Sequence, residues 1–128
     1  MNNRNRTARL LVAIGSIVLA AAAALHSLAG YPRVSSALNA SNLIAPVPGA
    51  LRAVFLLVGW DWIVMAVVAL LAAFTETKLR KILVLICGVA LLVAAGVILA
   101  FVGVFIGTEM IAAAAVFIIL GGLLFENV

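Results

Sequence analysis

After Lys81 the chain carries no charged residue until Glu109. Leu79–Ile106 is basic at its start and apolar from there on. At ~1.5 Å per helical residue it outreaches a hydrocarbon layer of ~30 Å. It reads as a membrane-spanning helix, and the rest of the chain repeats the pattern. Leu10–Ala29 is apolar apart from Ser16, His26 and Ser27. Residues 48–74 are apolar apart from Arg52 and Asp61, and Glu109–Phe125 apart from its first residue. The spacing therefore predicts spans over 10–29, 48–74, 79–106 and 109–125, with an outer loop over 30–47.

Composition agrees. Of 128 residues, 68% are hydrophobic and 9% charged, and mean hydropathy is +1.40. A soluble domain runs at about 45–50% apolar and about 25% charged. Four spans leave no room within these residues for a soluble catalytic domain. The fold class expected is all-α, a single membrane domain built as an up-down-up-down four-helix bundle, because short joints force neighbouring helices antiparallel.

The net charge of +4 and pI near 10.3 would suggest nucleic acid in a soluble chain. Here the cations flank apolar spans, a pattern of membrane orientation, so no nucleic-acid partner is expected. Arg4, Arg6, Arg9, Lys78, Arg80 and Lys81 fall on one side, and Arg33 and Arg52 on the other. The positive-inside rule then puts both termini in the cytoplasm of a cell, with a bacterial inner membrane as the setting. Lys78, Arg80 and Lys81 sit at a helix N-terminus, where the macrodipole disfavours them. Orientation explains them better than helix stability does. A secretory signal is the competing reading of residues 1–29. Ser27-Leu28-Ala29 has the small-x-small form of a cleavage site, but the apolar run exceeds the usual h-region.

Pro32 and Pro46 bracket the outer loop and are expected to stop a helix there. Between them Val34, Ala37, Leu38 and Ile44 recur at near-helical spacing, which predicts a short amphipathic helix on the membrane surface. Tyr31 suits the headgroup layer. Asn39-Ala40-Ser41 matches a glycosylation sequon, meaningful only in a eukaryotic secretory setting. Pro48 suits the first turn of the second span. Gly107 is expected to end the third span and Thr108 to cap the fourth.

Gly88, Gly96, Gly103 and Gly107 fall within about 100° of arc on the third span, and the last two form GxxxG. Small-residue stripes let helices approach closely in lipid. The stripe serves either an internal hairpin with the fourth span, where Ala112–Ala115 offer a small-residue partner, or a homodimer interface.

Few residues carry chemistry. Cys87 is the sole cysteine and His26 the sole histidine, so neither a disulfide nor a metal site of several imidazoles can form within the chain. Cys87 reads as a small buried hydrophobe rather than a reactive thiol. No cofactor or metal motif is present. Asp61, in Gly59-Trp60-Asp61-Trp62, is the most informative residue. An ionised carboxylate at mid-span costs at least ~2.5–3.5 kcal/mol. Arg52 lies ~13.5 Å away along the same helix and ~180° around it, so the two cannot pair. Asp61 is either a binding or protonation site, with Trp60 and Trp62 walling a cavity, or a structural hydrogen-bonding group with Ser16 as one candidate partner. His26, Arg52 and Glu109 gather near the outer ends of three spans. They form either a packing network or a small anionic or proton-linked site. A Ser27–His26–Asp61 triad fails on depth, because nucleophile chemistry needs contiguous hydrogen bonds.

Three functions follow as expectations. The first is a non-enzymatic accessory or assembly subunit of a larger membrane complex, partnered by another membrane protein or by its own copies. The second is a small oligomeric transporter or channel using Asp61. The third, an enzyme or redox subunit acting on lipid or quinone, lacks haem ligands, cysteine pairs and clustered carboxylates.

Overall fold

The computed structural model describes residues 3–126; Met1, Asn2, Asn127 and Val128 lie outside the described residues. Its helices are α1 (Asn3–Leu25), α2 (Tyr31–Asn39), α3 (Val47–Phe74), α4 (Arg80–Phe101) and α5 (Ile106–Leu124). A π-turn over His26–Gly30 joins α1 to α2 without a break. Four rods result, each long and apolar enough to cross a membrane. The chain is a multi-pass membrane protein with the architecture of a four-helix bundle.

Contacts run around a ring. α1 packs most extensively on α5, then α5 on α4, α1 on α3 and α3 on α4. Directions follow from the pairings. Gly15 of α1 lies against Ala114 and Ile118 of α5, whereas Gly121 of α5 lies against Ala8 and Val12. Numbers rise on one helix as they fall on the other, so the two are antiparallel. Gly88 against Ile119, and Gly122 against Leu85, give the same result for α4 and α5. Arg9 bonded to the Ala73 carbonyl, and His26 to the Phe55 carbonyl, give it for α1 and α3.

The buried positions have a period that hydropathy hides. On α1 they include Ala8, Val12, Gly15, Leu19 and Ala22; on α3, Gly59, Trp62, Ala66, Ala69 and Ala73. On α5 they include Thr108, Ile111, Ala115, Ile118 and Gly122. Steps alternate between three and four residues, the seam of a left-handed bundle. The members are mostly small, while Leu, Ile and Val populate the outside. Lipid tails provide no hydrophobic force between helices, so close backbone approach and dispersion hold them together.

Several expected boundaries move. Pro32 does not stop the helix. The Tyr31 N–H bonds back to the His26 carbonyl, five residues earlier. This widened turn accommodates the Pro32 ring and its missing N–H, so the first rod continues through Asn39. The amphipathic segment is therefore an extension of the first span, and the true connection is residues 40–46. α4 stops at Phe101 rather than 106. Gly103 takes φ +94° and donates its N–H to the Leu99 carbonyl at 3.2 Å, the αL cap that favours glycine. Thr108 is not the cap of α5, which begins at Ile106. Its hydroxyl instead donates to the Gly103 carbonyl at 3.2 Å and ties the joint down.

The basic end of the bundle is closed by packed cations. Arg80, 3% exposed, places its guanidinium 4.4 Å from the ring centroid of the fully buried Phe125. Arg9 donates to the Ala73 carbonyl at 3.2 Å, lies 5.6 Å from the Phe74 ring and 3.6 Å from exposed Glu76. The Glu126 N–H reaches the Asn5 side-chain oxygen at 3.4 Å.

The seam makes a sharp prediction. A Cβ on Gly15 would lie 2.7 Å from Ile118 Cγ1 and 2.9 Å from the Ala114 carbonyl oxygen. Gly96 has nothing within 4 Å. Gly15→Ala is expected to destabilise by about 1–3 kcal/mol through overpacking. Gly96→Ala should instead gain about 0.5–1 kcal/mol from the lower backbone entropy of alanine. Unfolding in detergent followed by circular dichroism checks both, and equal effects would refute the assigned seam.

Candidate functional site

The described polar residues divide among separate places rather than one site. The first is built around His26, the residue that opens the π-turn. Its Nε2 lies 2.7 Å from the Phe55 carbonyl oxygen. A carbonyl can only accept, so Nε2 carries the proton in this bond. The imidazole stacks on the Phe55 ring, with centroids 3.7 Å apart and planes 14° apart. It meets the Trp62 ring at 4.8 Å with a 59° tilt.

Gly59 makes this possible. One turn beyond Phe55, it presents no side chain where α1 crosses α3. A Cβ there would lie 2.8 Å from Ser27 Oγ and 3.1 Å from His26 Cδ2. Gly30 does the same for the Phe55 ring, since its Cβ would lie 2.9 Å from Phe55 Cζ. The sequence thus sets Gly59 against His26 and Ser27, and Gly30 against the Phe55 ring, to seat one imidazole.

Beside this cluster a groove of about 470 Å³ runs between the end of α1, α3 and the α4–α5 joint. His26, Phe55, Trp62, Val102 and Ile106 line it, and Arg33 of α2 joins them. The lining holds no acidic residue.

Asp61 is elsewhere. It is exposed on the outer face of α3, along with Trp60 at 61% exposure, whereas Trp62 is 5% exposed. The two tryptophans do not wall a common cavity around the carboxylate. Successive residues diverge by ~100° on a helix, and the inward direction falls on Trp62. Ser16 is buried with no hydrogen-bond partner for its hydroxyl, so it is not the partner of Asp61.

The His26–Arg52–Glu109 constellation does not assemble. Arg52 donates through Nη2 to the Asn39 side-chain oxygen, tying α2 to α3. Its Nε is buried without a partner. Glu109 is exposed in the first turn of α5, where an acid favours the macrodipole. His26 belongs to the aromatic cluster instead.

The glycine stripe also divides. Gly88 meets Ile118 and Ile119 of α5, which is the internal hairpin contact. Gly96 faces open space, Gly103 is the helix cap, and Gly107 packs on Phe105 beside it in the chain. Cys87 is buried. Among the described residues no three of His, Cys, Asp and Glu gather where they could hold a metal ion.

Sequence reasoning missed Phe55, Gly59 and Arg33 as neighbours of His26. Gly59 gave a usable signal, a glycine amid large apolar residues. Arg33 gave none, because its approach depends on the π-turn carrying the helix past Pro32.

Compared with known protein families, curated proteins and solved structures, the chain matches none.

The His26 cluster is testable by Gly59→Leu in a Trp60→Phe background, where Trp62 is the remaining tryptophan. The added side chain should push Ser27 and His26 off α3, cost about 1–3 kcal/mol and shift Trp62 emission. Unchanged emission would mean the crossing is not as close as described.

Proposed function

We propose that this chain is a non-enzymatic subunit of a bacterial inner-membrane assembly, and that it meets its partner through the outer face of α3. One observation carries the reading: Asp61 is exposed at the middle of a helix long enough to span the bilayer. On that face Leu57, Trp60, Val64 and Leu71 are exposed as well. α3 also buries the smallest share of its span, 22% against 39% for the first and last. An ionised carboxylate facing hydrocarbon costs at least ~2.5–3.5 kcal/mol. A polar group on a neighbouring protein removes that cost, and intramembrane acids commonly find partners in this way.

The same carboxylate supports a second reading, a small oligomeric transporter. The bundle interior is closed by close-packed alanine and glycine together with Leu19, Leu91, Ile111 and Ile118, so a proton or ion path would run between copies, past Asp61.

The two readings separate in native mass spectrometry of gently extracted protein. A subunit is expected to carry a stoichiometric, unlike membrane protein. Asp61→Asn, which keeps hydrogen bonding, should retain it, and Asp61→Leu should release it. Photo-crosslinking from position 57 or 64 should then reach that same protein. Retention by Asp61→Leu would overturn the interface. A pure homo-oligomer whose proton flux in vesicles is abolished by Asp61→Asn would establish the transporter instead.

Orientation is part of the proposal. Six cations at one end of the bundle, against Arg33 and Arg52 at the other, support cytoplasmic termini. A reporter active only in the cytoplasm, fused after Val128, should give signal. Signal from a reporter active only in the periplasm would invert the topology.

A further inference from the structure

We propose that the groove beside His26 is a binding site for an anionic phospholipid, with one acyl chain lying along the groove and the phosphate held by Arg33. The groove's volume, about 470 Å³, falls in the ~300–1,000 Å³ range of built ligand sites. Its walls are apolar: the Phe55 and Trp62 rings on one side, Val102 and Ile106 on the other. Val102 and Ile106 are largely exposed. The groove therefore opens to the surroundings of the bundle, and those surroundings are lipid.

Charge selects the head. Arg33 is the lining's one cation of fixed charge, and the lining contains no carboxylate. Among the described residues Arg33 has no hydrogen-bond or ion-pair partner. Arg52 has taken Asn39, and Glu109 lies on α5 outside the lining. A guanidinium offers a planar fork of donors matched to phosphate oxygens. Depth selects an amphiphile over a free anion. Arg33 lies beyond the apolar run that ends at Ala29, at headgroup level, while Trp62 and Phe55 lie deeper. A ligand satisfying both ends needs an anionic head and a hydrocarbon chain. The π-turn is what places the two ends together. By carrying the helix past Pro32 it sets Arg33 over the groove rather than in a separate surface helix.

Trp62 reports on the site because it lines the groove and is buried by protein elsewhere. The experiment uses the full chain with Trp60→Phe, reconstituted in phosphatidylcholine vesicles. Phosphatidylglycerol or phosphatidylcholine brominated on its acyl chains is added at equal mole fraction. Brominated phosphatidylglycerol is expected to quench Trp62 with a roughly fivefold preference, the scale of one basic residue at an anionic lipid. Arg33→Gln should equalise the two lipids while leaving quenching by phosphatidylcholine intact. Ala29→Phe, which narrows the groove without touching the charge, should reduce quenching by both. Together the variants separate loss of the head contact from loss of the fold. Equal quenching in the unmodified groove overturns the proposal, as does a preference that survives Arg33→Gln. Quenching by neither lipid overturns it as well, because no acyl chain then lies beside Trp62. Displacement of the lipid by inorganic phosphate at constant ionic strength would reduce the site to a simple anion site.

Discussion

The close approach of α1 and α5 is the contact on which the bundle depends. Gly15 and Gly121 face opposite ways across it, each set against the other helix's backbone carbonyl, Ala114 and Ala8. In water, burying leucine would hold such helices together. In lipid it would not, since the tails are as apolar as the side chain. What remains is contact density, and small residues maximise it by letting backbones meet. Most of the large aliphatic side chains therefore stand outside, where they match the solvent, and alanine dominates inside, with Leu19, Leu91, Ile111 and Ile118 filling the space between. This inverts the size pattern of a soluble core while keeping its three-four period.

A bundle built this way has little tolerance for charged groups in its middle, and the chain places them accordingly. Arg80 is taken inward at the basic end, where the Phe125 ring faces its guanidinium. A desolvated cation over an aromatic ring gains about 2 kcal/mol, which offsets part of its burial. Asp61 goes outward. His26 sits between these cases, half-buried, with one nitrogen committed to a backbone carbonyl, one face stacked on Phe55 and the Trp62 ring tilted against it. The basic end is thus tied shut by Arg9, Arg80 and Phe125. The other end is held by the π-turn and by the His26–Phe55, Arg52–Asn39 and Thr108–Gly103 bonds, and there the groove opens.

Much of this was legible in the sequence. Four apolar runs and their short joints lead directly to four antiparallel helices, because no other backbone arrangement satisfies its hydrogen bonds in lipid except a closed barrel. Of the stripe Gly88, Gly96, Gly103 and Gly107, Gly88 is the member that lies against the fourth span, at Ile118 and Ile119. What was not legible follows from one physical cause. When nearly every residue is apolar, hydropathy has no period, so the sequence does not say which face is inside. Size does say, through Ala8, Gly15 and Ala22 or Ala66, Ala69 and Ala73, and a search for spacing in small residues would have found the seam. It would also have turned Asp61 outward, since Trp62 and Ala66 share the buried stripe and Asp61 does not. Pro32 misled for a different reason. A proline breaks an α-helix, but a turn with five-residue bonds accommodates it, and that turn depends on tertiary contacts at Gly30 and Gly59.

Those contacts also explain why the two candidate surfaces are separate. Gly59 and Trp62 turn one side of α3 toward α1 and the groove. Leu57, Trp60, Asp61 and Val64 are then forced to the opposite side by the helical repeat alone. A substitution in the groove should therefore leave partner binding through Asp61 intact, and a substitution at Asp61 should leave lipid preference at Arg33 intact. Coupling between them would require α3 to roll about its axis. Rolling would drive the Gly59 side of the helix off His26 and Ser27, and the Trp62 ring with it. The stacked imidazole thus does more than fill space at the end of α1. It fixes the rotation of α3, and with it which of two adjacent residues, Asp61 or Trp62, faces out of the bundle.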